Sequence, residues 1–238
     1  MNKIHVLSLL VMFVFISCED KPAIEGIEGL WIVKSVIVGE EEKTPNARWT
    51  RFNPDLTQES GNGWLQHSFG TWKLNPKTNE LFMVNSNGLD DDEPFVATIN
   101  QNQMTWNRIE EGQNVTVSLV RASRLPSTFG DELIGLWKLE EAIGNGKYFE
   151  ENNNTESGEY IFFRWDKKFS IGSKKGRVSG VYNVHGHKPE VELIPYGEEV
   201  KRDFWKIQFD ENDITLKLLN TDSIITRKFQ RIHEFPEE

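Results

Sequence analysis

Gly29-Leu30-Trp31 opens one stretch of the chain and Gly135-Leu136-Trp137 opens another. Each phrase is followed by a long run of β-like sequence that closes on an arginine, Arg121 in the first stretch and Arg231 in the second. An offset of 110 residues sets Gly70 on Gly180, Trp72 on Tyr182, Phe95 on Trp205, Met104 on Ile214 and Leu119 on Phe229. Arg121 and Arg231 keep the same offset, whereas the two opening phrases lie 106 apart. A loop difference therefore falls between the first strand and Gly70. One constant offset through five strands points to a duplicated unit.

The alternation within each unit says what is duplicated. Val115, Val117 and Leu119 share one strand face with Arg121, opposite Thr116 and Ser118. Trp205, Ile207 and Phe209 do the same against Lys206 and Gln208, as do Ile214, Leu216 and Leu218 against Thr215 and Lys217. A period of two with one apolar face is what a half-buried strand requires. Turn-forming clusters such as Asn53-Pro54-Asp55, Gly61-Asn62-Gly63 and Asn75-Pro76-Lys77-Thr78-Asn79 separate the runs. Short strands at regular spacing, with no helical period between them, predict about eight strands per unit. Closing so small a sheet removes its exposed edges, which favours a barrel over an open sandwich. The expected fold is all-β, with two tandem small antiparallel barrels over residues 26–122 and 132–236. Residues 123–131 form the linker between them, and Phe129–Ile134 is expected to make one helical turn at the base of the second barrel.

The glycine and tryptophan of the first strand, with the arginine of the last, resemble the lipocalin signature. That resemblance implies that the arginine lies across the indole as a cation–π contact and closes one end of the barrel. Carried over, Gly29, Trp31 and Arg121 serve the first barrel, and Gly135, Trp137 and Arg231 the second. The short repeats behind a lipid-anchoring signal resemble the lipocalin-like lipoproteins of Gram-negative bacteria. The alternative is that each tryptophan is simply a core aromatic of another small antiparallel fold.

Residues 1–17 combine Lys3, an apolar run from Val6 to Ile16, and Ser17, the layout of a secretory signal peptide. The run is too short to span a bilayer, which takes about 20 residues. Phe15-Ile16-Ser17-Cys18 resembles a bacterial lipobox, which implies cleavage before Cys18 and lipidation of its thiol. Cys18 is the only cysteine, so no internal disulfide exists to claim it. Several acyl chains on one cysteine anchor a soluble domain where a single chain does not. Residues 18–25 then form a tether, and the expected location is the outer membrane, lipid-anchored. Glu19-Asp20-Lys21 loosely resembles an export signal to the cell surface, and equally suits a solvated tether.

Composition excludes other classes. The net charge of −10 becomes −11 once Lys3 is removed, and no basic run provides a footprint for nucleic acid. Asp90-Asp91-Asp92-Glu93 lacks the spacing of a calcium loop and reads as a solvated acidic loop. His185 and His187 have no third ligand near them in sequence, so no metal is expected. No nucleophile, acid or base motif is present, and neither an enzyme nor a cofactor is expected. Asp222-Ser223-Ile224 matches a short bacterial O-glycosylation sequon, which makes Ser223 a weak candidate for modification.

The remaining candidates are polar or aromatic residues on interior faces. Met104, Trp106 and Arg108 share one face, and Arg227 stands where the first unit has Val117. A charge inside a barrel is costly unless paired, so each arginine is a ligand anchor, half of an ion pair, or at a wet end. The expected function is non-catalytic binding of a small apolar or amphipathic ligand. Trp72, Trp106 and Arg108 would line the first mouth, and Tyr182, Trp205 and Arg227 the second. The alternative is a structural or interaction lipoprotein whose barrels are filled by side chains and whose surface contacts an envelope protein.

Overall fold

The computed structural model describes residues 26–86, 93–151, 158–197 and 202–236. The expected signal peptide, the lipidation candidate Cys18 and the expected tether, and Asp90–Asp92 of the acidic loop, lie outside the described residues. The first unit contains β1 (Gly29–Val38), β2 (Glu41–Glu42), β3 (Arg48–Phe52), β4 (Thr57–Asn62), β5 (Leu65–Asn75), β6 (Glu80–Asn85), β7 (Phe95–Asn100), β8 (Gln103–Glu110) and β9 (Gln113–Ala122). The two-residue β2 folds back on the end of β1. The other eight strands pair in sequence order, and β9 returns to β1 to close the barrel.

After α1 (Phe129–Leu133) comes a second closed barrel of β10 (Gly135–Ile143), β11 (Tyr160–Phe163), β12 (Lys168–Ser173), β13 (Gly176–Val184), β14 (Glu190–Pro195), β15 (Asp203–Asp210), β16 (Asp213–Leu218) and β17 (Thr226–Ile232). The helical turn is held by a capping box in which Thr128 and Asp131 each accept from the other's backbone N–H. It drives the fully buried Leu133 into the base of the second core.

The duplication extends to backbone irregularities. A β-bulge interrupts β1 against β9 between Val33 and Ser35, and its counterpart interrupts β10 against β17 between Leu139 and Glu141. Gly29 lies opposite Phe52 and Gly135 opposite Phe163, so the offset has risen from 106 to 111 by β3 and β11. Five added residues thus sit in the β10–β11 connection. A bulge between β4 and β5, which the β12–β13 pair lacks, returns the offset to 110. That bulge also revises the expected Gly61-Asn62-Gly63 turn: Gly61 and Asn62 continue β4. The Trp49 ring lies over Gly61, where a Cβ would fall 2.7 Å from it.

Both barrels are closed at the base in the same way. Trp31 lies opposite Arg121, with the guanidinium 4.3 Å from the ring centroid, and Trp137 opposite Arg231 at 4.0 Å. The indole N–H of Trp31 donates to Ile27 O at 2.7 Å, and that of Trp137 to Leu133 O at 2.8 Å. Arg121 donates to Glu28 O and Gly26 O, and Arg231 to Ile134 O and Glu132 O. These acceptors sit at the same distance in sequence from their tryptophan in both units. The glycine that opens each phrase has positive φ, +117° at Gly29 and +143° at Gly135. A Cβ at either would run into the arginine, which fixes glycine there.

A shielded cation–π contact contributes about 1–2 kcal/mol. Trp31→Ala and Arg121→Ala, measured singly and together by denaturant unfolding, are expected to show a coupling of about that size. Additive losses would mean that ring and guanidinium do not interact.

Candidate functional site

The pleat sends alternate side chains of each strand inward, and the two interiors differ in what arrives there. In the second barrel the inward positions of β11, β12 and β13 carry Ile161, Phe163, Phe169, Ile171 and Tyr182, all but completely buried. The five added residues of the β10–β11 connection let that loop fold back over the mouth. Tyr148 and Phe149 enter the core, and the Phe149 ring meets Phe229 edge-on at 5.6 Å. This interior is filled by protein.

Arg227 holds the plug in place. It is 1% exposed, and its guanidinium donates to Ile143 O, Thr226 O, Gly144 O and Phe149 O at 2.7–3.0 Å. Burial lowers its affinity for the proton, while the Glu151 and Glu159 carboxylates act in the opposite direction. Its four backbone acceptors make it a structural clamp, and not a group turned toward a ligand. Tyr182, whose hydroxyl donates to Arg164 O at 2.8 Å, and Trp205 belong to the same filled core. Burial, with the Asp166 and Asp131 charges, pushes the Tyr182 hydroxyl up to about 12.

The first barrel diverges on the same strands. The matching positions of β3 and β4 hold Thr50, Phe52, Gln58 and Ser60 in place of Ile161, Phe163, Phe169 and Ile171. Thr50, Gln58 and Ser60 are all buried, as is Ser68 across from Ser60 on β5. Asn85 Oδ1 accepts from the Gln58 amide at 2.8 Å and from the Ser68 hydroxyl at 3.0 Å. Below this polar belt lies an aromatic floor. Phe52 meets Trp72 and Trp106 edge-on at 5.5 and 6.1 Å, and Phe95 packs on Trp106 at 5.4 Å. The buried indole N–H of Trp106 has no acceptor, a property shared with Trp205 in the second barrel.

Two arginines stand on the inner face near the first mouth. Arg108 lies 4.0 Å over the Phe95 ring, pairs with Glu110 and donates to Glu93 O at 3.2 Å. It is an ion-paired rim residue. Arg48 is half-buried and occupies the position that Glu159 holds in the second barrel. Its guanidinium donates to Ser60 Oγ at 3.3 Å and Asn62 Oδ1 at 3.5 Å, and it contacts His67 Nε2. Among the described residues no carboxylate pairs with it, and burial alone lowers its proton affinity. Burial first, then the Arg48 charge, hold His67 below the ordinary imidazole range.

The two barrels meet beside the loop that precedes β3. Asn46 N donates to Gly186 O at 2.9 Å, and His187 Nδ1 lies 3.3 Å from Thr44 O. A cleft of about 670 Å³ opens there, lined among others by Pro45, Phe129, His185, His187 and Lys188. His185 Nδ1 accepts from the backbone N–H groups of His187 and Lys188, which spends that nitrogen on the turn. Among the described residues no group of three His, Cys, Asp or Glu side chains could hold a metal ion.

Neither a protein-family model nor a curated protein matches the sequence. The structure brings Trp72, Trp106 and Arg108 together with Phe52 and Phe95, and adds Arg48, Ser60 and His67, which sequence reasoning passed over. The signal was present: Arg48, Thr50 and Phe52 share one strand face. Matching Gln58 and Ser60 to Phe169 and Ile171, however, requires an offset of 111, which the bulge conceals.

Arg227→Met is expected to cost about 3 kcal/mol in denaturant unfolding, because it strands buried carbonyls and releases the plug. A loss under about 0.5 kcal/mol, the range of an ordinary surface change, would contradict the clamp.

Proposed function

We propose that this chain is an exported lipocalin-like lipoprotein, anchored at the outer membrane through Cys18, which binds a small amphipathic molecule without transforming it. The first barrel is the binding unit, and the second is a filled scaffold. The observation that carries this reading is the contrast between the two mouths. Tyr148 and Phe149 plug the second, while among the described residues the first has no counterpart of that plug and turns Thr50, Ser60, Ser68 and Arg48 inward. Polar groups around an apolar floor are what an amphipathic ligand needs. The paired glycine, tryptophan and arginine at each base support the lipocalin-like assignment. The short apolar run ending in Ser17-Cys18 supports the anchor.

A second reading rests on the outer wall of the first barrel. Phe69, Phe82, Val84 and Val96 face outward on β5, β6 and β7, with exposures of 62%, 37%, 53% and 45%. An apolar stripe of this kind suits an envelope protein partner.

Two measurements test the proposal. Cys18→Ser is expected to move the protein from the membrane fraction to the soluble fraction, and unchanged fractionation would refute the lipid anchor. Native mass spectrometry of the protein from its source organism is expected to show a defined extra mass that leaves on denaturation. A bare polypeptide mass, with capture of one specific envelope protein, would favour the second reading.

A further inference from the structure

We propose that Arg48, with Ser60, Asn62 and His67, forms a binding site for the acidic head group of an amphipathic ligand whose apolar part lies toward Trp72 and Trp106. The inference rests on the reading of the first barrel as the binding unit, and it names what that unit selects.

A guanidinium withdrawn from water is tolerated when a carboxylate or a full set of acceptors compensates it. Every other inward arginine of the molecule is compensated in this way. Arg108 has Glu110, Arg227 has four carbonyls and two nearby carboxylates, and Arg121 and Arg231 have a ring face and two carbonyls each. Arg48 has only the neutral oxygens of Ser60 and Asn62, at the long end of hydrogen-bonding distance, and a neutral imidazole. At the equivalent position the second barrel carries a buried carboxylate, Glu159, whose Oε1 accepts from the Lys174 backbone N–H at 3.0 Å. The two barrels therefore carry opposite charges at one place in the same fold, and among the described residues only the negative one has an opposite charge acting on it, that of Arg227.

Geometry adds to charge. Arg48 sits on the mouth side of Thr50 and Phe52, so its fork stands between the polar belt and the entrance. A planar fork with several N–H donors suits the paired oxygens of a carboxylate or a phosphate. Ser60 is placed to add a hydroxyl donor to the same head group, whereas Asn62 orients the site: its Oδ1 faces Arg48 and His67, and its Nδ2 donates to Asn46 O at 2.7 Å. The floor of Phe52, Trp72 and Trp106 offers an apolar body no hydrogen-bonding groups other than indole N–H.

The test uses isothermal titration of the full chain with dodecanoate, dodecyl phosphate and methyl dodecanoate, which share an apolar body and differ in the head. At least one acid is expected to bind about tenfold or more tightly than the ester, a difference of about 1.4 kcal/mol. Whichever acid is preferred identifies the head group as carboxylate or phosphate. Arg48→Met is expected to abolish that preference while leaving the unliganded protein at least as resistant to heat as the wild type. A residue kept for structure would instead lower the melting temperature when removed. Arg48→Lys is expected to retain part of the preference. Equal binding of acid and ester would overturn the inference and leave the first barrel as the binding unit. No binding of any of the three would overturn both. A preference for the acids that survives Arg48→Met would overturn the assignment to Arg48.

Discussion

The structure depends on a guanidinium laid across an indole where the first and last strands of a barrel meet. At that seam the sheet must close on itself, and closure needs a fixed register and an end that excludes water. The tryptophan fills the base, the arginine covers it, and both reach back to the backbone that leads into the first strand. Glycine opens each phrase because the arginine occupies the space a Cβ would take. Every part of this arrangement recurs in the second barrel at the equivalent residue. The same physical constraint has been met twice by the same atoms.

A base fixed so firmly leaves the mouth free to diverge. Five residues added after β10 supply a plug, and Arg227 replaces a valine to satisfy the carbonyls that the plug brings inside. The opposite solution appears in the first barrel, where hydroxyls and amides take the places of Ile161, Phe169 and Ile171. A filled apolar interior gains stability from burial. A polar interior gains less, and it retains groups able to recognise a ligand. The proposed division between a scaffold barrel and a binding barrel rests on those two choices.

How far the sequence anticipated this can be followed residue by residue. Trp31 with Arg121, and Trp137 with Arg231, were legible through the resemblance of the glycine, tryptophan and closing arginine to the lipocalin signature, and the register sets each pair opposite. The tandem fold followed from the constant offset. The plug was visible only as a discrepancy between 106 and 110, since sequence gives a loop's length but not the way it folds. Arg108 and Arg227 could be placed on inner faces, but their partners are carbonyls and a neighbouring carboxylate that only the register brings near. Alternation sets Arg48 on the face of Thr50 and Phe52, but in this five-residue strand Trp49 is buried on the other face, so the pattern does not say which face is inward. The bulge at His67 on β5 then hid the match of Arg48 to Glu159.

The central claim is that one fold carries two interiors, one filled by protein and one holding an uncompensated charge. The most direct measurement is a high-resolution crystal structure of the protein purified without denaturation from its source organism. The account predicts density for an acidic group against the Arg48 guanidinium, above the Trp72–Trp106 floor, and none inside the second barrel. A first barrel with only ordered water at Arg48, or a ligand seated in place of Tyr148 and Phe149 in the second, would contradict it.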